Sequence, residues 1–204
     1  MKRSFDILVA GVGGQGNLVC GRILAEGAVR RNLRPVVGDT FGASRRGGAV
    51  LTHLRIGESD RGPLVPRNQA DLILGLEPLE TLRAAVKFGR QETVVIFSEL
   101  KVDTADTLGG NTEYPDVNRM TEALESISGV VFRLNPKASL EKIGSNRVLN
   151  TYMIGALAGS GRTPLDPSEL RGLVSETLKP KKANISAFDA GLKCISELMM
   201  SMGV

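Results

Sequence analysis

A short apolar run that ends in a glycine loop constrains this chain more than any other stretch. Phe5-Asp6-Ile7-Leu8-Val9-Ala10 is rich in aliphatic residues and predicts a buried parallel strand. It enters Gly11-Val12-Gly13-Gly14-Gln15-Gly16, and a helical apolar pattern follows from about Gln15 to Arg31. Gly11, Gly13 and Gly16 stand at G-x-G-x-x-G spacing. The first suits a tight turn, the second close approach of a ligand to bare backbone, and the third close packing of helix on strand. A helix N-terminus there offers free N–H groups and partial positive charge to an anion. Two readings stay open on these residues: a phosphate or pyrophosphate site, and a glycine turn that only packs the helix.

The rest of the chain alternates strand and helix signals. Arg34 to Val37, finishing at Gly38-Asp39, predicts a second strand, and Val50 to Ile56 a third with Val50, Thr52, Leu54 and Ile56 on one face. The turn-rich stretch from Gly57 to Pro63 predicts a hairpin returning through Leu64-Val65. Leu72-Ile73-Leu74, Thr93 to Phe97 and Val130 to Leu134 read as buried strands. Pro78 opens a helix with Leu79, Leu82 and Val86 as its apolar face and Gly89 as its stop. Ser98 to Pro115 is a polar excursion at the C-terminal edge of the sheet, and Asp116 caps the helix that follows. Further helices are expected around Leu140 and Ile143, over the small-residue stretch Asn150 to Gly159, after Asp166-Pro167, and at the end through Ile185, Phe188, Leu192 and Ile195. Lys181-Lys182 reads as a solvated turn. The expectation is one α/β domain over 1–204, three-layered, with a mainly parallel Rossmann-like sheet and a β-hairpin insertion.

Chemistry-bearing residues are few. Arg45 and Arg46 beside Gly47 and Gly48 suit a phosphate or carboxylate, or form a solvated basic loop. Asp39 stands where an acid would hold a ribose hydroxyl in a dinucleotide fold, and equally where a turn residue would. His53, the only histidine, has no partner for a metal set and is read as a strand residue ahead of a direct chemical role. Cys20 and Cys194 form no C-x-x-C pair, which excludes a self-contained four-thiolate cluster, and Cys20 reads as a core residue. With no Trp and 4% aromatic residues, stacking surfaces for single-stranded nucleic acid are scarce. No secretory signal or membrane span is evident, so the cytoplasm is the expected compartment. The candidate cofactor-binding set is Gly11, Gly13, Gly14, Gln15, Gly16, Arg46, Gly47 and Gly48; no catalytic residue and no metal site is identifiable.

The glycine loop, the small-residue loop ending in Arg46-Gly47-Gly48, and the strand Thr52-His53-Leu54-Arg55-Ile56-Gly57 together resemble the gamma-type subunits of 2-oxoacid:ferredoxin oxidoreductases, the indolepyruvate branch above all. Ala70 to Glu77 resembles that family's next strand and Asn150 to Gly159 its small-residue helix. The chain departs from the pattern at Arg45, where a glutamine often stands, and at Asp39-Thr40-Phe41, where a Glu and often a His are common. The resemblance implies a subunit of an enzyme that decarboxylates a 2-oxoacid such as indolepyruvate oxidatively to an acyl-CoA and reduces ferredoxin. It implies that thiamine diphosphate, magnesium and iron–sulfur clusters reside on a partner subunit, through which ferredoxin is met, with CoA as a shared ligand. The isolated chain is then expected to be inactive and to form homo-oligomers without its partner; no nucleic acid or membrane partner is expected. The alternative is a free-standing NAD(P)-binding oxidoreductase, with Asp39 on the ribose or Arg45 and Arg46 on a 2′-phosphate.

Overall fold

The computed structural model describes residues 4–42, 47–57, 62–102 and 113–203. Its strands are β1 (Ser4–Val12), β2 (Pro35–Phe41), β3 (Ala49–Gly57), β4 (Leu72–Gly75), β5 (Val94–Ser98) and β6 (Val130–Leu134). They form one sheet in the order β2-β3-β1-β4-β5-β6. β1, β4, β5 and β6 run parallel, while β3 is antiparallel to both β1 and β2. The helices are α1 (Asn17–Arg30), α2 (Pro78–Phe88), α3 (Val117–Ile127), α4 (Lys137–Ile143), α5 (Leu149–Gly159), α6 (Pro167–Thr177) and α7 (Lys181–Met202).

Period-two alternation along the strands divides the core between two faces. Ile7 and Val9 of β1 join Leu54, Leu72, Leu74, Ile96 and Phe132 under α1, α5, α6 and α7. Leu8 and Ala10 join Ile73, Val95 and Phe97 under α2 and α3. The expected three-layer, mainly parallel sheet is therefore present. The capping signals act as read: the Asp116 carboxylate accepts from the N–H groups of Asn118 at 2.8 Å and Arg119 at 3.1 Å, and Asp166 does the same for Ser168 at 2.9 Å.

Four local expectations are corrected. The hairpin is β2–β3, and Leu64-Val65 forms no strand. α2 buries Thr81, Ala84, Ala85 and Phe88, with Leu79 and Leu82 packed partly buried against the same core, while Val86, the third residue of the predicted face, is 65% exposed. The cause is close approach to β4: Thr81 occupies the space that a Cβ on Gly75 would need, so small side chains must face the sheet. Lys181 and Lys182 are exposed residues of the first turn of α7, not a separate turn. Finally, β1 runs past Ala10, because Gly11 pairs with Val50 and Val12 with Ala49.

The small-residue helix α5 packs inside the domain. Gly155 lies against the carbonyl of Phe188, and Gly191 of α7 against the carbonyl of Tyr152, so a Cβ at either position would strike backbone. Among the described residues no helix is long and apolar enough to cross a membrane.

Candidate functional site

The C-terminal end of β1 turns over Val12 to Gln15, where the N–H of Gln15 donates to the Val12 carbonyl at 3.2 Å. Gly14, at the third position of this turn, has φ 107°, a value that favours glycine. The N–H of Gly13 donates to the Gly48 carbonyl at 2.9 Å, and the Gly13 carbonyl accepts from Gly47 at 3.4 Å. Two glycine segments far apart in sequence thus lie side by side as an extension of the β1–β3 ladder. Gly14 and Gly47 are exposed, with no atom near the place a Cβ would take. Arg46, with Arg45, falls outside the described residues.

The side chain of Gln15 folds back on the protein. Its Oε1 accepts the Val12 N–H at 2.9 Å and its Nε2 donates to the Leu76 carbonyl at 3.1 Å. Both polar ends are engaged, so Gln15 braces the loop and its side chain is not turned toward a ligand. This fold-back explains Gly11: a Cβ there would stand 2.7 Å from Gln15 Oε1 and 3.1 Å from the Asn17 side chain. Gly11 therefore makes room for two inward-turned amides within a strand, where the spacing had suggested a turn.

Asn17 and Asn150 belong to the same assembly, and the sequence reading did not single them out. Asn17, 2% exposed, donates from Nδ2 to the carbonyls of Val9 at 3.3 Å and Val50 at 3.1 Å. It ties the first residue of α1 to both β1 and β3. Gly16 precedes it with φ 93° and no side-chain cap, and a Cβ there would stand 2.6 Å from Asn150 Nδ2. Gly16 thus packs helix against helix, α1 on α5. The Cys20 thiol is buried beneath, 3.8 Å from the Asn150 carbonyl, and burial pushes its pKa up to about 12.

At the end of β4, the Leu76 N–H donates to the Ala10 carbonyl at 2.7 Å and leads to Glu77, 1% exposed. The Glu77 carboxylate caps α2 by accepting the Glu80 N–H at 2.8 Å, and its other oxygen accepts from the Tyr114 hydroxyl. That hydroxyl accepts in turn from the Leu79 N–H at 3.3 Å. Burial raises the Glu77 carboxyl pKa, with the Tyr114 and Glu80 hydrogen bonds opposing it; burial and the nearby carboxylate raise the Tyr114 phenol as well. An acid immediately before a proline at a first helical turn was the legible sign of this cap.

His53 and Arg55 are clamps. The His53 ring, 1% exposed, accepts the Val65 N–H at Nδ1 (3.1 Å) and meets Phe88 edge-on. Burial pushes its pKa down to about 4, so it is neutral at pH 7. Arg55 pairs with the buried Asp6 (Nε to Oδ1, 3.0 Å) and donates from Nη1 to the carbonyls of Gly62 at 3.1 Å and Leu64 at 3.3 Å. The 62–65 segment is thus held by side chains, which is why it needs no strand pairing. Asp39 accepts from the Thr52 hydroxyl at 2.5 Å on β2, and β3 separates it from β1. A ribose-binding acid stands on the strand next to β1, so this geometry disfavours the dinucleotide role. Among the described residues no three His, Cys, Asp or Glu side chains converge as a metal set.

Comparison with known proteins gives a consistent result. The family model described as pyruvate ferredoxin/flavodoxin oxidoreductase matches residues 6–194. Indolepyruvate oxidoreductase subunit IorB of Archaeoglobus fulgidus is 35% identical over 181 residues, covering 89% of each chain. The solved gamma subunit of a keto/oxoacid ferredoxin oxidoreductase from Geobacter sulfurreducens superposes with a TM-score of 0.66 at 20% identity, over 94% of this chain and 98% of that one. A 2-oxoglutarate:ferredoxin oxidoreductase from Magnetococcus marinus, solved with 2-oxoglutarate, coenzyme A and succinyl-CoA, gives a TM-score of 0.70 at 19% identity, over 97% of this chain and 32% of that longer one.

Proposed function

The chain belongs to the pyruvate ferredoxin/flavodoxin oxidoreductase family as a subunit of a 2-oxoacid:ferredoxin oxidoreductase, and from that premise we propose that its complex oxidises an arylpyruvate, indolepyruvate foremost, to an acyl-CoA. The indolepyruvate name of the Archaeoglobus relative, 35% identical over 89% of both chains, carries the substrate assignment. Thiamine diphosphate with magnesium supplies the decarboxylation chemistry and iron–sulfur clusters the electron path to ferredoxin, both on the larger partner. The described residues of this chain do not fit a cluster: Cys20 is a core thiol held protonated, and Cys194 lies apart on α7.

Acting as one cytoplasmic domain over 1–204, the chain contributes a wall of the CoA site. The position of the glycine loop at the C-terminal ends of β1 and β4 supports that assignment, since open α/β sheets bind ligands there. Gly14 and Gly16 would offer main-chain N–H groups to an anionic part of CoA, beside Gly13, whose own N–H is held by the Gly48 carbonyl. Gly47 and Gly48 flank that place, and Arg46 would add charge.

The test compares the chain, its larger subunit and their coexpressed complex for indolepyruvate- and CoA-dependent reduction of ferredoxin. Turnover by the complex alone is expected; turnover by the isolated chain, or a complex inert toward arylpyruvates, would overturn the reading. Arg46→Ala should raise KM for CoA by about 10-fold to 100-fold, the loss of one charge-assisted contact, with the melting temperature unchanged. An unchanged KM would leave Arg46 a solvated loop residue.

A further inference from the structure

Among the described residues, β2 is an edge strand whose inner side alone is paired. The Gly42 N–H donates to Ala49 at 2.8 Å and the Gly57 N–H to Arg34 at 3.1 Å, which fixes the phase of the antiparallel ladder. Even-numbered residues of β2 turn their backbone groups toward β3, and Val37, Asp39 and Phe41 turn theirs outward. Exposed apolar side chains flank that open edge: Val37 at 40%, Phe41 at 50%, Leu18 of α1 at 50% and Leu64 at 49%. Val37 lies beside Gly21, one turn along α1 from Leu18, while Leu64 packs over Gly38 on the opposite face. These are four of the eight large hydrophobic residues exposed among the described residues, so the exposed apolar surface concentrates at this edge.

We infer that the outer edge of β2 takes up an extended segment of the larger subunit as an added strand, with apolar residues meeting Val37 and Phe41 and a basic residue facing Asp39. This rests on the subunit reading above. Backbone pairing supplies the affinity in such an addition, and alternate side chains supply the selectivity. A second copy of this chain fits the edge poorly. Full overlap of two antiparallel β2 strands about Gly38 would set each Val37 opposite an Asp39 and bring the two Asp39 carboxylates within about 7–8 Å on one face. Pro35 would then face the partner copy's Phe41 with no N–H to give its carbonyl. A heterologous strand carrying a cation opposite Asp39 avoids both defects. The strand would also lie beside the candidate site, because the β2–β3 hairpin carries the Gly47-Gly48 segment that bonds Gly13.

Hydrogen exchange on the isolated chain and on the coexpressed complex tests this. The amides of Val37, Asp39 and Phe41 should exchange at least tenfold more slowly in the complex. Equal exchange in a complex that forms and turns over would overturn this inference and leave the functional reading standing. Slowing in the isolated chain as its concentration rises would assign the edge to a second copy and overturn it too. Val37→Pro removes an N–H that bonds nothing among the described residues, and Phe41→Asp places a charge on the patch. Both should melt as the wild type yet recover at least tenfold less large subunit, whereas Val86→Asp on α2 should recover it fully. Full recovery by both edge variants would sink the proposal. Failure of the wild-type chain to hold any large subunit would overturn the functional reading and this inference together.

Discussion

The side-chain amide of Gln15 donates to the main-chain carbonyl of Leu76 at 3.1 Å, across 61 residues of sequence. With its oxygen on the Val12 N–H at 2.9 Å, one side chain sets the separation of the β1 and β4 ends. Gln15→Ala leaves an N–H and a carbonyl short of partners and should destabilise the fold by about 1–3 kcal/mol. Gln15→Glu keeps the acceptor for Val12 but sets a carboxylate oxygen against the Leu76 carbonyl, so its loss should be at least as large. Urea unfolding of the two variants measures this, and wild-type stability in Gln15→Ala would show that the brace is idle.

Gly14 and Gly16 both have positive φ, at 107° and 93°, yet they should respond differently to alanine. Gly14→Ala meets open space and bears backbone strain alone, about 1–3 kcal/mol. Gly16→Ala bears similar strain and also drives a methyl to within 2.6 Å of the Asn150 amide, pushing α5 away from α1. Gly16→Ala should therefore be the more damaging in thermal unfolding, and Gly16→Ala combined with Asn150→Ala should recover part of the difference. Equal losses for Gly14→Ala and Gly16→Ala would argue that α5 yields freely.

The glycine spacing made the strand and the loop legible in the sequence, because those depend on local backbone geometry, but it assigned Gly16 to helix-on-strand packing where Gly16 packs α1 on α5. What it could not convey was long-range side-chain partnership. Gly11 has its role only because Gln15 and Asn17 fold back over it. Leu64-Val65 reads in sequence as a returning strand, whereas Arg55 and His53 hold the 62–65 segment, and side-chain clamps leave no alternating pattern. On α2, Leu79 and Leu82 pack on the core as the pattern indicates, but apolar patterning also favours Val86 over Thr81, Ala84 and Ala85, whereas contact with Gly75 demands the small residues. Glu77 announced its cap through Pro78, but its second partner, Tyr114, lies 37 residues away with nothing in the sequence to connect them.

Glu77 should make the fold more stable in mild acid than its removal would allow. Its carboxyl pKa is raised by burial above the ordinary 4.5. The folded state therefore holds that proton more tightly than the unfolded chain. The contribution is full below pH 4.5, declines as pH rises through the raised value, and is constant beyond it. Glu77→Gln abolishes the titration, so the stability gap between wild type and variant should widen in favour of the wild type as pH falls from 7 toward 4.5. Denaturant midpoints across that range test it; a gap independent of pH would show that Glu77 titrates normally.

His53 should act in the opposite sense over an overlapping range. Burial lowers its pKa from 6.5 to about 4, with Lys87 and Arg55 adding to the effect and Asp39 opposing it. A depressed histidine contributes stability that is whole above pH 6.5 and is lost as pH falls toward about 4. The full loss is on the order of 3 kcal/mol. Protonation would also abolish the acceptor at Nδ1 that holds the Val65 N–H at 3.1 Å, releasing the 62–65 segment from one of its two clamps. His53→Gln retains an oxygen acceptor for Val65 without a proton to gain, so its stability should vary less than the wild type between pH 6.5 and 4. Hydrogen exchange at Val65 should accelerate with acid beyond its intrinsic pH dependence in the wild type and not in His53→Gln. A wild-type ring that NMR titration finds protonating near 6.5 would overturn the assignment, because a buried ring accepting a backbone N–H cannot keep an ordinary pKa.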